Sequence, residues 1–450
     1  MKHELYNYEI FPMVFPAGDD VKITVKPMGA HAAFSGEYTV VVQRLDSGSA
    51  GHDFSSWNQT GFDLTPDEDG NLVFTYKASG EGELFVRVYK DGRRILQLSV
   101  YALADDLAGR IPLMGDLHMH TCRSDGREAP AIVCANYRKK GYDFIVVTDH
   151  GRYYPSLEAQ AAYADVDTAL CILPGEEVHL PETDTHIVNA GGLFSVNGLL
   201  ESLANYRETD GAYDKRAIIE CAPDIVSAEQ YKKEIDEIEA SLTDCPANVN
   251  KRWYAVCVWA FDKIREADGL GVFAHPYWIS DMWQMPEAFT YYMLEKHPFD
   301  AFEVLGGENY YEQNGFQTAI YYEEYAKGRV HPIVGSTDSH GSTEHNRNSD
   351  ICSTIVFAEK NERKSIITAI KDKYSVAVDS ISKEYRLVGE FRLQKYASFL
   401  MENYFPIHNR QAAMDGELMR LYAVNEATAE EVNLISARAE RLIKKYILTK

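Results

Sequence analysis

The chain has 450 residues, of which 45% are apolar and 25% charged, an ordinary composition for a globular protein of two or three domains. The formal net charge of −23 argues against nonspecific binding to long polyanions such as duplex DNA, whereas a small anionic substrate is compatible with it. The N-terminal MKHELYNYEIFPMVF lacks the apolar core of a signal peptide, and no apolar run approaches the roughly 20 residues that span a bilayer. The seven cysteines are scattered and contain no CxxC pair, so we expect reduced thiols and a cytoplasmic protein. Because no apolar run is long enough, we also expect no membrane contact.

Residues 1–108 are predicted to form an antiparallel β-sandwich. Apolar and polar residues alternate in DVKITVKP, EYTVVVQRL, NLVFTYKA, GELFVRVYKDG and RRILQLSVYAL, and turn-forming residues separate these runs. The KDGR sequence between the last two runs predicts a hairpin. Because this region has no cluster of metal-binding side chains, we interpret it as a packing or recognition module.

Residues 109–385 show a different pattern, in which short apolar runs alternate with helical stretches. The runs FIVVTDH, LCILPGEE, HIVNAGG, GVFAHP, AFEVLGG and HPIVGSTDSH resemble buried strands that carry polar residues at their ends. This alternation predicts an α/β fold with a parallel sheet or barrel, in which catalytic residues gather at the carboxyl ends of the strands. A helical insertion at 198–262 contains SAEQYKKEIDEIEASL, whose apolar residues follow helical spacing, and we expect it to form a lid.

Residues 386–450 are predicted to be helical. The sequence TAEE is a capping box, in which Thr428 and Glu431 open a final amphipathic helix. The predicted fold is thus a β-sandwich, an α/β barrel and a C-terminal helical region.

The polar strand ends form a set that predicts a metal centre. In GDLHMHTCRSDG, the side chains of His118 and His120 lie two positions apart and point to the same face of a strand. The whole set consists of His118, His120, Asp125, His150, Glu177, His186, His275, Asp338 and His340. Imidazoles and carboxylates suit Zn, Mn or Fe, and so many ligands suit two or three divalent ions rather than one. Burying these groups together without cations would be costly.

The order HxH, SDG, TDH, PGxE, a lone His, AHP and DxH resembles the PHP (polymerase and histidinol phosphatase) superfamily over roughly residues 109–390. The resemblance implies a distorted seven-stranded β/α barrel that holds up to three divalent ions and hydrolyses a phosphoester. It implies three ligand sets: His118, His120, Glu177 and Asp338; Asp125, His150 and His340; and Glu177, His186 and His275. Glu177 would then bridge two ions.

Three ligand assignments have alternatives. Glu176 and Glu177 are adjacent, and only one can face the ions from a regular strand; the family pattern favours Glu177. His179 competes with His186 for the third ion, because it shares a strand face with Glu177, and it is otherwise a candidate substrate contact. Cys122 lies close to the histidine pair and is an alternative ligand for a soft metal.

Other residues are predicted to support the centre. Asp116 and Asp149 flank ligands and are interpreted as acceptors for imidazole N–H groups. Glu303 is predicted either to accept from an imidazole in the same way or to have a capping or salt-bridge role. A water bound to divalent ions has its pKa lowered towards 7, and the leaving group then needs an acid, for which His179 and His275 are the candidates.

Four arginines lie near the motifs and are candidates for binding phosphate: Arg123, Arg127, Arg152 and Arg347. Arg152 follows TDHG and Arg347 lies in the loop after DSH, so these two are the preferred pair.

The leading functional hypothesis is a phosphoesterase that cleaves a small phosphomonoester or a nucleotide-type phosphodiester with a metal-activated water. A carbamate, ester or amide hydrolase on the same site is the alternative, and Tyr277, Trp278 and Trp283 are compatible with an aryl substrate. A binding protein with a purely structural metal fits poorly, because structural sites are usually closed and rich in cysteine.

Overall fold

A computed structural model describes residues 3–47, 59–200, 220–279, 281–306, 311–342, 352–380 and 386–450. The chain divides into two compact units. The first unit consists of Met1–Ile111, Phe391–Gln411 and Ala437–Lys450, and the second of Pro112–Glu390 and Ala412–Ser436. The three domains predicted from the sequence stay a prediction, because a compact set of contacts does not show which segments fold independently.

The first unit contains two β-sheets. Their strands are β1 Tyr8–Phe11, β2 Val14–Pro16, β3 Asp20–Pro27, β4 Tyr38–Arg44, β5 Gln59–Leu64, β6 Leu72–Lys77, β7 Gly82–Lys90 and β8 Arg93–Leu103, followed by the short helix α1 Asp105–Ala108. One sheet has the order β1-β3-β6 and the other β2-β8-β7-β4-β5. The alternating pattern predicted these strands because one face is buried, as in β7, where every second residue from Gly82 to Val88 is buried. The prediction of purely antiparallel sheets is wrong at one pair, since β2 runs parallel to β8.

The predicted hairpin at KDGR is confirmed. β7 and β8 pair antiparallel, with Lys90 opposite Arg93. The two residues between them, Asp91 and Gly92, have φ angles of 51° and 75°. Positive φ at both central positions is what a tight turn requires to match the twist of its strands.

The second unit is a mixture of strands and helices. Its strands are β9 Ile111–Asp116, β10 Phe144–Val146, β11 Cys171–Leu173, β12 Gly175–Val178, β13 Ile187–Ala190, β14 Leu270–Phe273, β15 Ala301–Leu305, β16 Ile333–Gly335, β17 Cys352–Ala358, β18 Ser375–Asp379 and β19 Arg386–Val388. Its helices, up to β19, are α2 Pro130–Lys139, α3 Tyr154–Ala162, α4 Ala228–Ser241, α5 Lys251–Glu266, α6 Glu287–Lys296, α7 Tyr311–Ala326 and α8 Arg363–Lys371. The predicted mixed α/β character is confirmed.

The strands of the second unit form two sheets, with the orders β11-β10-β9-β17-β18-β19 and β12-β13-β14-β15-β16. In the described residues, isolated bridges pair Met119 with Ser339 and His150 with Glu177, just beyond the ends of β9, β16 and β10. A continuous ladder does not cross these two junctions, so a closed seven-stranded barrel is not confirmed.

The prediction of parallel pairing is wrong for part of the second unit. β13 runs antiparallel to both β12 and β14, and β17, β18 and β19 also pair antiparallel. β12 and β13 are joined by the short connection 179–186, whereas a parallel crossover needs about a dozen residues or more. The remaining pairs next to β10 and β15 are parallel, as predicted.

The predicted helical insertion is described over α4 and α5, while residues 201–219 lie outside the described residues. Ser227 caps α4 by accepting a hydrogen bond from the backbone N–H of Gln230 at 3.2 Å. Tyr231 of α4 is buried and meets the indole of Trp259 edge to face, with ring centroids 5.0 Å apart. The apolar stripe read from the sequence therefore faces α5.

The C-terminal region is helical, as predicted, with α9 Phe391–Asn403, α10 Phe405–Ala423 and α11 Ala429–Tyr446. The capping box of α11 is confirmed: the backbone N–H of Thr428 donates to the Glu431 carboxylate at 2.8 Å, and the backbone N–H of Glu431 donates to Thr428 Oγ1 at 3.3 Å. Across the described residues, none of the helices is both long enough and apolar enough to cross a membrane.

Candidate metal centre

The reversal of β13 places its beginning at the same sheet edge as the end of β14. Ile187 of β13 lies opposite Phe273 of β14. His186 precedes β13 and His275 follows β14 by one further residue, so both imidazoles emerge at this edge. His179, which follows β12, emerges there as well, because β12 pairs antiparallel with β13. An antiparallel strand thus contributes a ligand from its amino end.

The HxH and DSH motifs are aligned by backbone pairing beyond β9 and β16. The N–H of Asp338 donates to the carbonyl of His118 at 2.9 Å, and the N–H of His120 donates to the carbonyl of Ser339 at 2.8 Å. This register brings the Asp338 Oδ1 atom to 2.9 Å from His120 Nε2 and 3.3 Å from His118 Nε2. Asp338 has a φ of 49°, a left-handed conformation that is costly for a residue with a Cβ and is often found at functional sites.

Glu177 lies at the centre of the cluster. Its side chain is fully buried, and its nearest neighbours are His150 Nδ1 at 2.5 Å and His186 Nδ1 at 2.6 Å. Six imidazoles place a ring nitrogen within 4 Å of its carboxylate: His118, His120, His150, His179, His186 and His275. Burial acts to raise the pKa of Glu177, but the surrounding histidines outweigh it and hold this pKa well below its usual value.

Glu176 points in the opposite direction from Glu177, as expected for neighbours in a strand. Its carboxylate accepts hydrogen bonds from Ser195 Oγ at 2.8 Å and from the backbone N–H of Val196 at 2.5 Å. Burial raises the pKa of Glu176 to about 7, although these hydrogen bonds oppose the shift. Of the two adjacent glutamates, the structure brings Glu177 into the cluster.

A second part of the cluster surrounds Asp125. Its Oδ2 atom lies 3.3 Å from His150 Nε2, and its Oδ1 atom lies 3.3 Å from His340 Nε2. The ring of His120 lies against both imidazoles, with centroid distances of 4.2 Å to His150 and 4.4 Å to His340. The structure therefore brings together all nine residues that the motifs predicted as ligands.

His179 and His186 both enter the cluster. His179 Nε2 lies 3.0 Å from His150 Nδ1 and 3.4 Å from Glu177 Oε2. His186 meets Glu177 from the other carboxylate oxygen, on the side of His275. The alternative between these two histidines therefore stays open, because each lies within reach of a cation beside Glu177.

Five groups of His, Asp and Glu ligand atoms in the described residues each lie within 4.8 Å of one another. The groups are His120, Asp125, His150 and His340; His118, His275 and Glu303; His118, His120 and Asp338; His150, Glu177 and His179; and Glu177, His186 and His275. The groups share members and therefore describe overlapping positions rather than five separate ions. Cys122 belongs to none of these groups, so the structure does not place it as a ligand.

The polar atoms of the cluster fit a bound cation. Several buried atoms lie without a geometrically suitable hydrogen bond among the described residues, although some of them are close to one another: His118 Nε2, His120 Nδ1, both oxygens of Glu177, His186 Nδ1 and both ring nitrogens of His275. Leaving a buried polar atom unpaired costs about 1–3 kcal/mol. Imidazole nitrogens and carboxylate oxygens are ligands for divalent transition metals, so a cation would satisfy these atoms together.

Glu303 supports the cluster from the ligand-free strand β15. Its Oε2 atom lies 3.0 Å from His118 Nδ1, and the residue is fully buried. A carboxylate in this position fixes the imidazole so that Nε2 faces the cluster. Burial acts to lower the pKa of His118, but Asp338, Glu177 and Glu303 outweigh it and raise this pKa well above its usual value. The sequence had left open a capping or salt-bridge role for Glu303, and the structure shows the contact to an imidazole.

Replacing Glu303 is expected to weaken metal binding without removing a proposed ligand. Losing such a partner typically costs 10–100-fold in metal affinity, so we expect about that loss for Glu303→Ala and a smaller loss for Glu303→Gln, whose amide oxygen still accepts from His118. Competition with a chromogenic chelator would measure both dissociation constants. Unchanged affinity in both variants would show that Glu303 does not support the centre.

The prediction that Asp116 and Asp149 accept from imidazoles is wrong. Asp116 accepts from Thr337 Oγ1 at 2.6 Å, and Asp149 accepts from Thr121 Oγ1 at 2.7 Å. Asp149 also accepts from the hydroxyl of Ser124 at 2.5 Å. These carboxylates fix the loops that carry the histidines rather than the imidazole rings. The hydroxyl residues inside HTCRS and STDSH were the sequence signal for this arrangement, and the sequence interpretation missed it.

The candidate arginines that the structure describes do not line the cavity beside the cluster. Arg152 is fully buried, and its Nη1 atom donates to the carbonyl of His150 at 3.3 Å. Arg123 forms two hydrogen bonds with Glu158, at 2.8 and 2.7 Å. Neither belongs to the described residues that line the cavity beside the cluster, and the same holds for Arg127. Arg347 lies outside the described residues.

A cavity of about 1400 Å³ opens beside the cluster. Predicted ligands line one part of it, and Trp278, Ile279 and residues 281–286 line another part, together with Trp253, Leu180 and nearby residues. His179, with its side chain 27% exposed, also borders the cavity, whereas His275 is almost completely buried. A small molecule in this cavity would reach the ligand cluster.

Comparison with known proteins gives only distant similarity. No protein-family model and no curated protein matches the chain significantly. A two-domain protein from Bacteroides vulgatus, described as containing a predicted PHP-like metal-dependent phosphoesterase, is 16% identical with a TM-score of 0.37; the match covers 60% of this chain and 65%, just under two thirds, of that chain. A putative metal-dependent phosphoesterase from Bifidobacterium adolescentis is 17% identical with a TM-score of 0.32, covering 52% of this chain and 91% of that chain. An amidohydrolase from Chromobacterium violaceum, with bound sulfate and no metal, is 15% identical with a TM-score of 0.29, covering 52% and 89%.

The residues that the sequence motifs predicted as metal ligands are the residues that the structure brings together. The motifs from HxH to DxH, which are far apart in the sequence, supply the imidazoles and carboxylates of one buried cluster. In its motif order and in the cluster that these motifs build, the chain resembles the PHP superfamily.

Proposed function

We propose that this protein is a metal-dependent hydrolase, and specifically a phosphoesterase that cleaves a small phosphomonoester or a nucleotide-type phosphodiester. The observation that carries the proposal is the convergence of six imidazoles on the buried Glu177 carboxylate beside a cavity of about 1400 Å³. So many ionisable groups in one buried place suit a cluster of cations and not a structural core.

Three ligand sets would hold two or three ions of Zn, Mn or Fe. We assign His118, His120, Glu177 and Asp338 to the first set, Asp125, His150 and His340 to the second, and Glu177, His186 and His275 to the third. His179 is the alternative to His186. Bound divalent ions supply a nucleophilic water at neutral pH and stabilise negative charge on a phosphoryl group.

The histidines have separate roles in this proposal. His275 faces Glu177 and Asp338 with its side chain only 1% exposed, which favours a ligand role over proton donation. His179 is more exposed and borders the cavity, so we assign it as the group that protonates the leaving oxygen.

Arg152 has a positioning role in this proposal, because its contact is to the backbone of His150. A phosphate contact from Arg347 stays a prediction. A small anionic substrate and the absence of long nucleic acids as partners are likewise proposed from the charge of the chain, and the absence of membrane contact from the lack of a long apolar run.

The fold that would carry this site is the distorted seven-stranded barrel that the resemblance implies. β9, β10 and β12 to β16 supply seven strands, and the isolated bridges at Met119–Ser339 and His150–Glu177 mark the two junctions between them. We therefore assign the barrel to these strands.

The test is a substrate panel with metal-loaded protein. We expect manganese- or zinc-dependent release of product from phosphomonoesters or phosphodiesters, with elemental analysis giving the ions bound per chain. Aryl carboxyl esters and carbamates in the same panel test the alternative, which the aromatic side of the cavity favours. Hydrolysis of those compounds alone would replace the phosphoesterase assignment, and no hydrolysis by fully loaded protein would overturn the hydrolase proposal.

A further inference from the structure

Part of the lining of this cavity, which we call the aromatic wall, consists of aromatic and apolar side chains. It contains Trp278, Met282, Trp283 and Met285, all from one segment after the AHP motif, and Trp253 from α5. Ligand pockets typically combine such a wall with a few polar groups that orient the reacting part of the ligand. The lining here contains both parts, since the predicted ligands supply the polar groups and these residues supply the aromatic and apolar surface.

Trp278 connects the wall with the cluster. Its indole is stacked near the ring of His186, with centroids 6.1 Å apart and planes at 30°, and it lies 6.1 Å from the ring of His275. The wall therefore begins directly beside two proposed ligands. A group attached to a phosphorus atom at the cluster would reach these rings without a long linker.

The segment that forms the wall is fixed by its backbone. The N–H of Gln284 donates to the carbonyl of Trp278 at 2.7 Å, and the N–H of Met285 donates to the carbonyl of Pro276 at 3.0 Å. Ile279 and Trp283 form an antiparallel bridge. These bonds hold Trp278 and Ile279 next to residues 283–285, so this part of the aromatic wall exists before any ligand binds, which lowers the entropy cost of binding.

Trp283 is held by two other rings but keeps an open face. It meets Tyr277 edge to face at 5.2 Å and Phe316 edge to face at 5.9 Å. The residue nevertheless remains 37% exposed, and its neighbour Met282 is 75% exposed. Burying a large apolar side chain is worth about 1.5–3 kcal/mol, so an oriented indole left open at a cavity is suited to cover a flat ligand.

The charge at the same wall is negative. Asp184 and Asp281 both border the cavity beside the aromatic side chains, and both are exposed. These carboxylates would repel a second anionic group on the substrate, whereas they would not repel an uncharged ring. The wall therefore combines aromatic contact with selection against negative charge.

We propose that this wall binds an aromatic group of the substrate, so that the substrate is an ester whose aryl or heteroaryl group carries no charge of its own. The inference rests on the proposed function, because it takes the ligand cluster as the place where the ester reacts. It deepens that function by naming the chemical class of the group next to the reacting ester.

The test compares two phosphinates that contain no hydrolysable ester bond. Diphenylphosphinate and dimethylphosphinate carry the same single charge and differ only in the groups that would meet the wall. Calorimetric titration of the manganese-loaded protein should give diphenylphosphinate a dissociation constant at least about tenfold lower, the change expected for about 1.4 kcal/mol of added ring contact. Bis(4-carboxyphenyl)phosphinate should bind more weakly than diphenylphosphinate because of Asp184 and Asp281.

Variants assign the effect to the wall. Trp283→Ala and, separately, Met282→Ala should reduce the ratio of the two affinities, while Phe391→Ala, which removes an exposed aromatic ring outside the cavity lining, should preserve it. Thermal unfolding of each variant would show that it is folded; Met282, at the more exposed position, provides the test if Trp283→Ala does not fold.

The outcomes separate this inference from the proposed function. Equal affinities for the two phosphinates, or no binding of diphenylphosphinate, would overturn the aromatic site even if the protein hydrolyses phosphoesters. Conversely, a Trp283-dependent preference for diphenylphosphinate would support the aromatic site even if the ester panel showed no hydrolysis. Tighter binding of the dicarboxylated phosphinate would overturn the charge selection.

Discussion

Replacing Glu177 with glutamine is expected to remove most of the bound metal and to lower the rate of hydrolysis by more than about 100-fold. Removing a residue that only supports a metal ligand already costs up to about 100-fold in metal affinity or activity, and Glu177 is a proposed ligand itself. The substitution keeps the size of the side chain but removes the negative charge at the point where six imidazoles converge. Because Glu177 belongs to two of the ligand groups, its loss affects more than one ion position. Elemental analysis after dialysis and the rate at saturating manganese would measure both effects.

The neighbouring residue offers a matched control. Glu176→Gln makes the same chemical change one position earlier in β12, but this side chain binds Ser195 and Val196 on the other face of the strand. We expect Glu176→Gln to retain its metal content, with any loss confined to stability. If Glu177→Gln bound as much metal as the unchanged protein, or if both variants lost it equally, the assignment of Glu177 as the central ligand would be wrong.

Replacing Arg138 with methionine is expected to reduce the free energy of unfolding by about 3–5 kcal/mol. Arg138 of α2 is fully buried between two carboxylates, donating to Asp415 at 2.7 Å and to Asp143 at 2.8 Å. Both carboxylates are almost completely buried, so removing the guanidinium leaves two negative charges without their cation. Asp143 also accepts from the backbone N–H of Met114 in β9 at 3.0 Å, so the effect reaches the strand that leads to HxH.

Lys139, the next residue of the same helix, is the control for this substitution. Its ammonium group contacts Glu417 at 2.9 Å, but the two side chains are 50% and 36% exposed. Exposed ion pairs contribute little because water and salt screen them. We therefore expect Lys139→Met to leave the urea unfolding midpoint nearly unchanged while Arg138→Met lowers it strongly. Similar midpoints for the two variants would show that the buried contacts of Arg138 with its two carboxylates do not stabilise the second unit.

The local sequence predicted those features that depend on neighbouring residues. The turn at Asp91 and Gly92 followed from the backbone conformation that only such residues adopt easily, and the cap of α11 followed from side chains three positions apart. The alternation in β7 predicted its buried face for the same reason. The motif order likewise identified the nine residues that the structure brings together.

Other features depend on contacts that the local pattern does not encode. Whether β13 runs parallel or antiparallel is decided by its neighbours and by the length of the connection before it, and its apolar run reads the same in both directions. Asp116 and Asp149 stand beside ligands in the sequence, yet their carboxylates accept hydrogen bonds from hydroxyl groups of residues elsewhere in the chain, Thr337 and Thr121. Glu303 resembles an ordinary strand residue until its carboxylate is seen 3.0 Å from His118.

The sequence by itself determined which side chains are available for metal chemistry, because ligand identity and strand spacing are written in the order of residues. Only the tertiary structure decided which of two adjacent glutamates faces the cluster, that both His179 and His186 reach it, and that aromatic side chains line the same cavity. The physical reason is that coordination and substrate contact depend on distances of a few ångströms between atoms that are remote in the chain, and those distances are set by strand direction and packing.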